Sequence, residues 1–154
     1  MEQNWEQAIE FIIGSKTSGN DGHEGYKSDN PSDPGGRTIF GISHKSWPKL
    51  VDELWNLPKE EARTKAGSFY HENYWLPAGC DQLWNKLDIA VFDTAVNCGV
   101  GEAKRILVSF DPDVDYRDYL FERIHYYCTL KRLSIFLAGW DDRVVDLWRL
   151  LRKL

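Results

Sequence analysis

The chain is poor in several things. It has one methionine, six prolines and three cysteines in 154 residues. Cys80, Cys98 and Cys128 are odd in number and far apart, which fits neither a disulfide framework nor a zinc site. Reduced synthesis in the cytosol is the reading that follows. No apolar run reaches the length that crosses a bilayer. Met1-Glu2-Gln3-Asn4-Trp5-Glu6 lacks the basic start of a secretory signal, so none is expected. Net positive charge is also missing. The formal charge is −5, which argues against a duplex nucleic-acid binder working by phosphate neutralisation. His23, His44, His71 and His125 are scattered and suggest no metal site, and no cofactor is expected.

What remains is ordinary globular material with an aromatic excess. Hydrophobic residues make up 42%, charged ones 28% and aromatics 14%, which excludes a disordered chain. The length suits one domain with a core of its own. Charge is unevenly spread. Residues 123–154 hold seven basic side chains against three acidic ones, a net +4, which leaves −9 for the rest.

The pattern along the chain predicts a mostly α domain with one small β element. Asn4 to about Gly14 reads as a helix with Asn4 as N-cap and Gln7 in capping-box position. Gly14 to Gly36 is a long polar stretch of turn-forming residues, and loops of that length are functional or disordered. Thr38-Ile39-Phe40-Gly41-Ile42 reads as a short strand or hairpin arm. Pro58 is placed as N1 of a helix running towards Trp75 and ended by Pro77 and Gly79. Leu87–Cys98 is apolar on nearly every face, which predicts a buried central helix capped by Gly99. Further helices are expected over Glu102–Phe110, Tyr116 to about Leu133 and about Asp141 to Leu154, with a turn at Asp111-Pro112-Asp113. In the last helix Val144, Leu147, Trp148 and Leu151 fall at helical spacing and read as core.

The chemistry-bearing segment runs from His23 to Ile42. It offers Glu24 beside a glycine, Asp33 in the tight turn Asp33-Pro34-Gly35-Gly36, and Thr38 leading into the strand. A structured surface loop with incidental carboxylates accounts for the spacing alone. Glycoside hydrolysis accounts for it as well. One carboxylic acid protonates the leaving oxygen and a second group positions water or stabilises the oxocarbenium-like charge.

Glu24-Gly25 followed by Asp33-Pro34-Gly35-Gly36-Arg37-Thr38-Ile39-Phe40-Gly41-Ile42 resembles the N-acetylmuramidases of glycoside hydrolase family 108, found in phages and bacteria. Their hallmark is Glu-Gly-Gly-Tyr, Asn-Asp-Pro, then Asp-Pro-Gly-Gly-x-Thr-x-x-Gly-Ile. Tyr74-Trp75, Phe92-Asp93-x-x-x-Asn97-x-Gly99 and Gly139-Trp140-x-x-Arg143-Val144 extend the resemblance to about residues 11–144. It implies a single lysozyme-like domain over 1–154, with a catalytic part over 1–110 and a C-terminal helical part over 111–154 that contacts peptidoglycan. It implies cleavage of the β-1,4 bond between N-acetylmuramic acid and N-acetylglucosamine, with inversion and carboxylates about 6.5–9.5 Å apart. Glu24 is then the general acid, partly buried so that it keeps its proton. Asp33 is base or charge stabiliser, and Thr38 positions the water. Tyr26, Tyr74, Trp75, Asp93 and Asn97 are the candidate sugar contacts. For Asp93 a buried polar pairing is the stronger expectation, and for the aromatics core packing is.

The resemblance further implies a monomer acting on glycan strands at the cell wall. A lysin of this type, phage endolysin or bacterial secretion-activator, reaches the wall through a holin or other export. Two departures stand out. Tyr26 occupies the second glycine of Glu-Gly-Gly-Tyr. Ser15 to Gly22 separates Glu24 from the helix end that fixes the acid in lysozyme folds. They motivate a different reading, a non-catalytic peptidoglycan or partner binder with the same fold. The basic C-terminal helix motivates another, a membrane-perturbing lytic protein.

Overall fold

The structure is a computed structural model that describes residues 4–15, 21–30, 36–110, 114–130 and 133–154, apart from the side chains of 133–138. The chain divides into two compact units. One is Glu6–Asn73, and the other is Tyr74–Leu154 with the described N-terminal residues up to Trp5.

The first unit holds most of helix α1 (Trp5–Ile13), three two-residue strands and two helices. Strands β1 (Lys27–Ser28), β2 (Thr38–Ile39) and β3 (Ile42–Ser43) form an antiparallel meander in the order β1-β2-β3. Lys27 pairs with Ile39, Ser28 with Thr38, Thr38 with Ser43 and Ile39 with Ile42. Ile39 and Ile42 share the buried face. Helix α2 (Pro48–Trp55) starts on a proline, whose missing N–H costs nothing in a first turn, and buries Val51 and Leu54. Helix α3 (Lys59–Tyr70) buries Ala62, Ala66, Phe69 and Tyr70, at helical spacing. Pro58 is its N-cap rather than its first helical residue.

The expected helix to Trp75 has a more complex end. A wide π turn, His71–Trp75, follows α3 and leads into the short helix α4 (Leu76–Ala78). Pro77 lies in the first turn of α4 and so does not stop it. Gly79 does, at φ 78°.

The second unit is helical: α4, a 3-10 turn over Cys80–Gln82, α5 (Leu87–Cys98), α6 (Val100–Leu107), α7 (Tyr116–Thr129) and α8 (Leu133–Leu151). Helix α5 is buried from Leu87 to Ala95 and ends at Gly99, φ 92°. Trp5, Trp75 and Phe92 meet edge to face, with centroids 5.3–5.5 Å apart. The capping box at Asn4 does not form. Asn4 donates its amide to both Asp88 carboxylate oxygens at 3.1 and 3.0 Å, and Gln7 Oε1 has no hydrogen-bond partner among the described residues. Helix α8 begins eight residues earlier than expected because Gly139 is carried inside it. The expected turn at 111–113 lies outside the described residues.

Asp93 is 1% exposed on α5. It accepts from Arg123 of α7 at 2.5 Å and from Arg143 of α8 at 2.9 Å. Burial by itself would raise this carboxyl. The charges and hydrogen bonds of Arg143 and Arg123 outweigh burial and hold it below the ordinary carboxylate range. A depressed acid contributes stability that is present at neutral pH and lost as pH falls through its folded-state value. Asp93→Asn strands two buried guanidinium groups, so it should cost about 3–5 kcal/mol at pH 7. In denaturant melts the gap between variant and wild type should narrow below the ordinary carboxylate range; a constant gap would contradict this account.

Candidate active site

A helix leaves its last four carbonyls without intrahelical donors. At the buried end of α1 these belong to Glu10, Phe11, Ile12 and Ile13. All four are satisfied. Gly14 N donates to Glu10 O at 2.9 Å, His23 N to Phe11 O at 3.1 Å, Glu24 N to Ile12 O at 3.0 Å, and Arg63 Nη1 to Ile13 O at 2.9 Å. The chain leaves α1 at Gly14–Ser15 and returns to the same helix end at Gly22. The polar stretch before Glu24 therefore does not detach it from the helix. Gly22, at φ +66°, makes the return possible: a Cβ there would stand 2.3 Å from Gly14 N and 2.5 Å from Ile12 O. Phe11 and His23 rings pack beside it, with centroids 4.4 Å apart.

The half-buried Glu24 side chain lies against the tip of the β2–β3 hairpin. That tip is the two-residue turn Phe40-Gly41, with φ of 50° and 77°, the signs of a type I′ turn. A Cβ on Gly41 would stand 2.5 Å from Glu24 Oε2, 2.8 Å from its Cβ and 2.9 Å from its Cγ. Only glycine leaves room for the carboxylate here. Phe40 is fully buried, its N–H donates to Tyr26 O at 2.7 Å, and its carbonyl accepts from Tyr70 Oη at 2.7 Å. The motif Phe40-Gly41-Ile42 was readable in the sequence. The contact with Glu24, nearly twenty residues away, was not.

Thr38 is half-buried in β2. Its pairing with Ser28 and Ser43 sets three hydroxyl side chains in a row on the face opposite Ile39 and Ile42. Asp33 lies outside the described residues, and so does its separation from Glu24.

Tyr26 is placed differently from an open stacking platform. Lys27 Nζ is 5.1 Å and Lys59 Nζ 4.9 Å from its ring centroid, and Phe40 packs at 5.1 Å. Lys27 and Arg37 also sit over Trp55, at 5.0 and 5.1 Å, and Lys27 donates to Trp55 O at 2.9 Å. Arg37 and His44 share Asp52, and Lys59 pairs with Asp21 at 2.6 Å. These cation–aromatic contacts brace β1 and β2 against α2.

The other candidate sugar contacts belong to the second unit. Trp75 is fully buried and Asp93 is bound by two arginines, so both serve the core. Tyr74 is half-buried. Asn97 is half-buried too, its Oδ1 accepting from Tyr127 Oη at 2.7 Å. Among the described residues no group of three or more His, Cys, Asp or Glu is arranged to hold a metal ion.

The family model described as glycosyl hydrolase 108 matches residues 21–99. The chain belongs to this family. The matched segment starts where the chain returns to α1 and ends at the glycine that stops α5. Among solved structures, that of Brucella abortus SagA is 25% identical, covers 99% of this chain and 96% of that one, and superposes with a TM-score of 0.72. The fold is thus mostly α and lysozyme-like. No curated protein matches at a significant level. Membership in glycosyl hydrolase 108 supports a glycosidase that acts on peptidoglycan.

Gly41→Ala should displace the Glu24 carboxylate and lower kcat/KM on peptidoglycan by about ten- to a hundredfold. Gly79→Ala is the control. Gly79 has a similar φ of 78°, and a Cβ there meets nothing within 4 Å. Both variants should lose about 1 kcal/mol of stability to backbone strain, and only Gly41→Ala should lose activity. Equal activity in the two would show that Gly41 does not position Glu24.

Proposed function

We propose that this chain is an inverting N-acetylmuramidase. It would cleave the β-1,4 bond between N-acetylmuramic acid and N-acetylglucosamine in bacterial peptidoglycan. The observation that carries this reading is the seat of Glu24: backbone tied to a helix end, side chain held against Gly41. A general acid has to be aimed before it is acidic, and this seat aims it.

In this mechanism Glu24 gives its proton to the glycosidic oxygen as that bond breaks. Water adds to the anomeric carbon from the opposite face. Asp33 takes the proton of that water, and the Thr38 hydroxyl holds it in line. The free sugar then leaves with inverted configuration, and Glu24 recovers its proton from solvent. The enzyme works as a monomer on glycan strands, at the wall, after holin-type or other export.

Purified peptidoglycan is the test substrate. Wild type should release reducing ends, and Glu24→Gln, which keeps the shape and loses the proton, should lower the rate by about a hundred- to ten-thousandfold. Proton NMR of the first product should show the α anomer. A β anomer would replace inversion with retention. No release by wild type would overturn the enzyme reading in favour of a non-catalytic wall binder.

A further inference from the structure

Helices α7 and α8 leave an apolar groove of about 400 Å³ between them. Leu120, Phe121 and Ile124 line it from α7, and Val144, Val145 and Trp148 from α8. The stripe expected to be core on α8 is divided. Val144, Leu147 and Leu151 are buried, whereas Trp148 is 38% exposed. Phe121 is 70% exposed and Val145 41%. A phenylalanine and a tryptophan opening onto one groove are a large apolar surface to leave in water.

Basic side chains gather at one end of the groove. Arg117, paired with Asp115, lines it on α7, and Arg149, paired with Asp146, follows Trp148 on α8. Arg152 and Lys153 follow just past α8. Arg152 lies 4.6 Å over the Trp148 ring, and neither has an acidic partner among the described residues. Cations at a helix C-terminus are favoured by the helix dipole, but that preference does not explain the exposed rings beside them.

We propose that this face docks on an anionic lipid surface. Exposed Phe and Trp beside unneutralised Arg and Lys is the composition of an interfacial membrane contact. Other occupants fit less well. A second copy meets the same obstacle as any other protein partner. A protein partner would need polar groups to fix its register, and the groove offers nearly none. No helix among the described residues is long and apolar enough to cross a membrane, so the contact is peripheral. The proposal does not depend on hydrolysis.

Co-sedimentation of the whole chain with vesicles tests it. Phosphatidylcholine vesicles containing about one third phosphatidylglycerol should bind the protein, and pure phosphatidylcholine should bind little. Added salt should weaken the binding. Phe121→Glu, and separately Arg152→Glu with Lys153→Glu, should each lower partitioning about tenfold or more. Melting curves of these variants should match wild type, since all three side chains are on the surface. Failure of wild type to bind anionic vesicles would overturn the proposal, as would binding that ignores these substitutions. A dimer in sedimentation equilibrium that Phe121→Glu dissociates would assign the groove to a second copy. Reducing-end release, measured on the same variants, reports on the muramidase reading separately.

Discussion

The buried end of helix α1 sets the terms for the first unit. Four carbonyls point out of that end, and each one left unpaired away from water costs about as much as a lost hydrogen bond. Solvent cannot supply all the donors, because Ile12, Ile13 and Gly14 are buried. The chain brings its own. Gly14 closes the last helical turn, Arg63 reaches across from α3, and residues 23 and 24 return after the polar stretch to supply two backbone N–H groups. Arg63 adds a positive charge where the helix dipole is negative. Glu24 is where it is because its own N–H completes this set. One hydrogen bond thus caps a helix and fixes the backbone of the proposed acid.

The hairpin tip shows what such a seat costs. Phe40 holds a positive φ, which disfavours a bulky L-residue by about 1–2 kcal/mol. Full burial of its ring and the hydrogen bond from Tyr70 offset that cost. In return the turn places Gly41, without a side chain, against the Glu24 carboxylate. The strained residue and the glycine belong together. An Asn-Gly turn would be less strained but would lose the buried ring that anchors the tip. Stability is spent at this point to hold a geometry, as is common near functional groups.

Much of this was legible in the residues, and the rest was not for identifiable reasons. The continuous apolar run of α5 and its terminal glycine could be read directly. So could the carboxylate-bearing loop and the strand after it. Strand β1 has only two residues, both exposed, so it carries no period to read. In sequence Gly139 and Asp141-Asp142 resemble a helix boundary, yet the backbone of α8 runs through them. The return of residues 22–24 to α1 is a pair of long-range backbone bonds, and no side-chain pattern announces those. Trp75 and Trp148 are the same residue type, each beside a leucine in sequence. One is sealed between Trp5 and Phe92, and the other opens to solvent. Only packing separates them.

The charge asymmetry changes meaning for a similar reason. The +4 of residues 123–154 includes Arg123 and Arg143, and these are 0% and 7% exposed. Both are committed to Asp93, which lies outside that segment, so much of the apparent basicity is internal. Two buried guanidinium groups against one carboxylate still leave one formal charge in excess. Tyr127 Oη absorbs part of that imbalance by accepting from Arg123 Nε at 2.7 Å, and it donates its own hydrogen bond to Asn97 Oδ1. Among the described residues the charge offered to solvent is therefore smaller than the sequence suggests and concentrated just past α8, at Arg152 and Lys153. A face with few charges placed beside exposed aromatic rings needs burial and attraction together. Its membrane affinity should then fall with salt without vanishing, unlike that of a purely electrostatic contact.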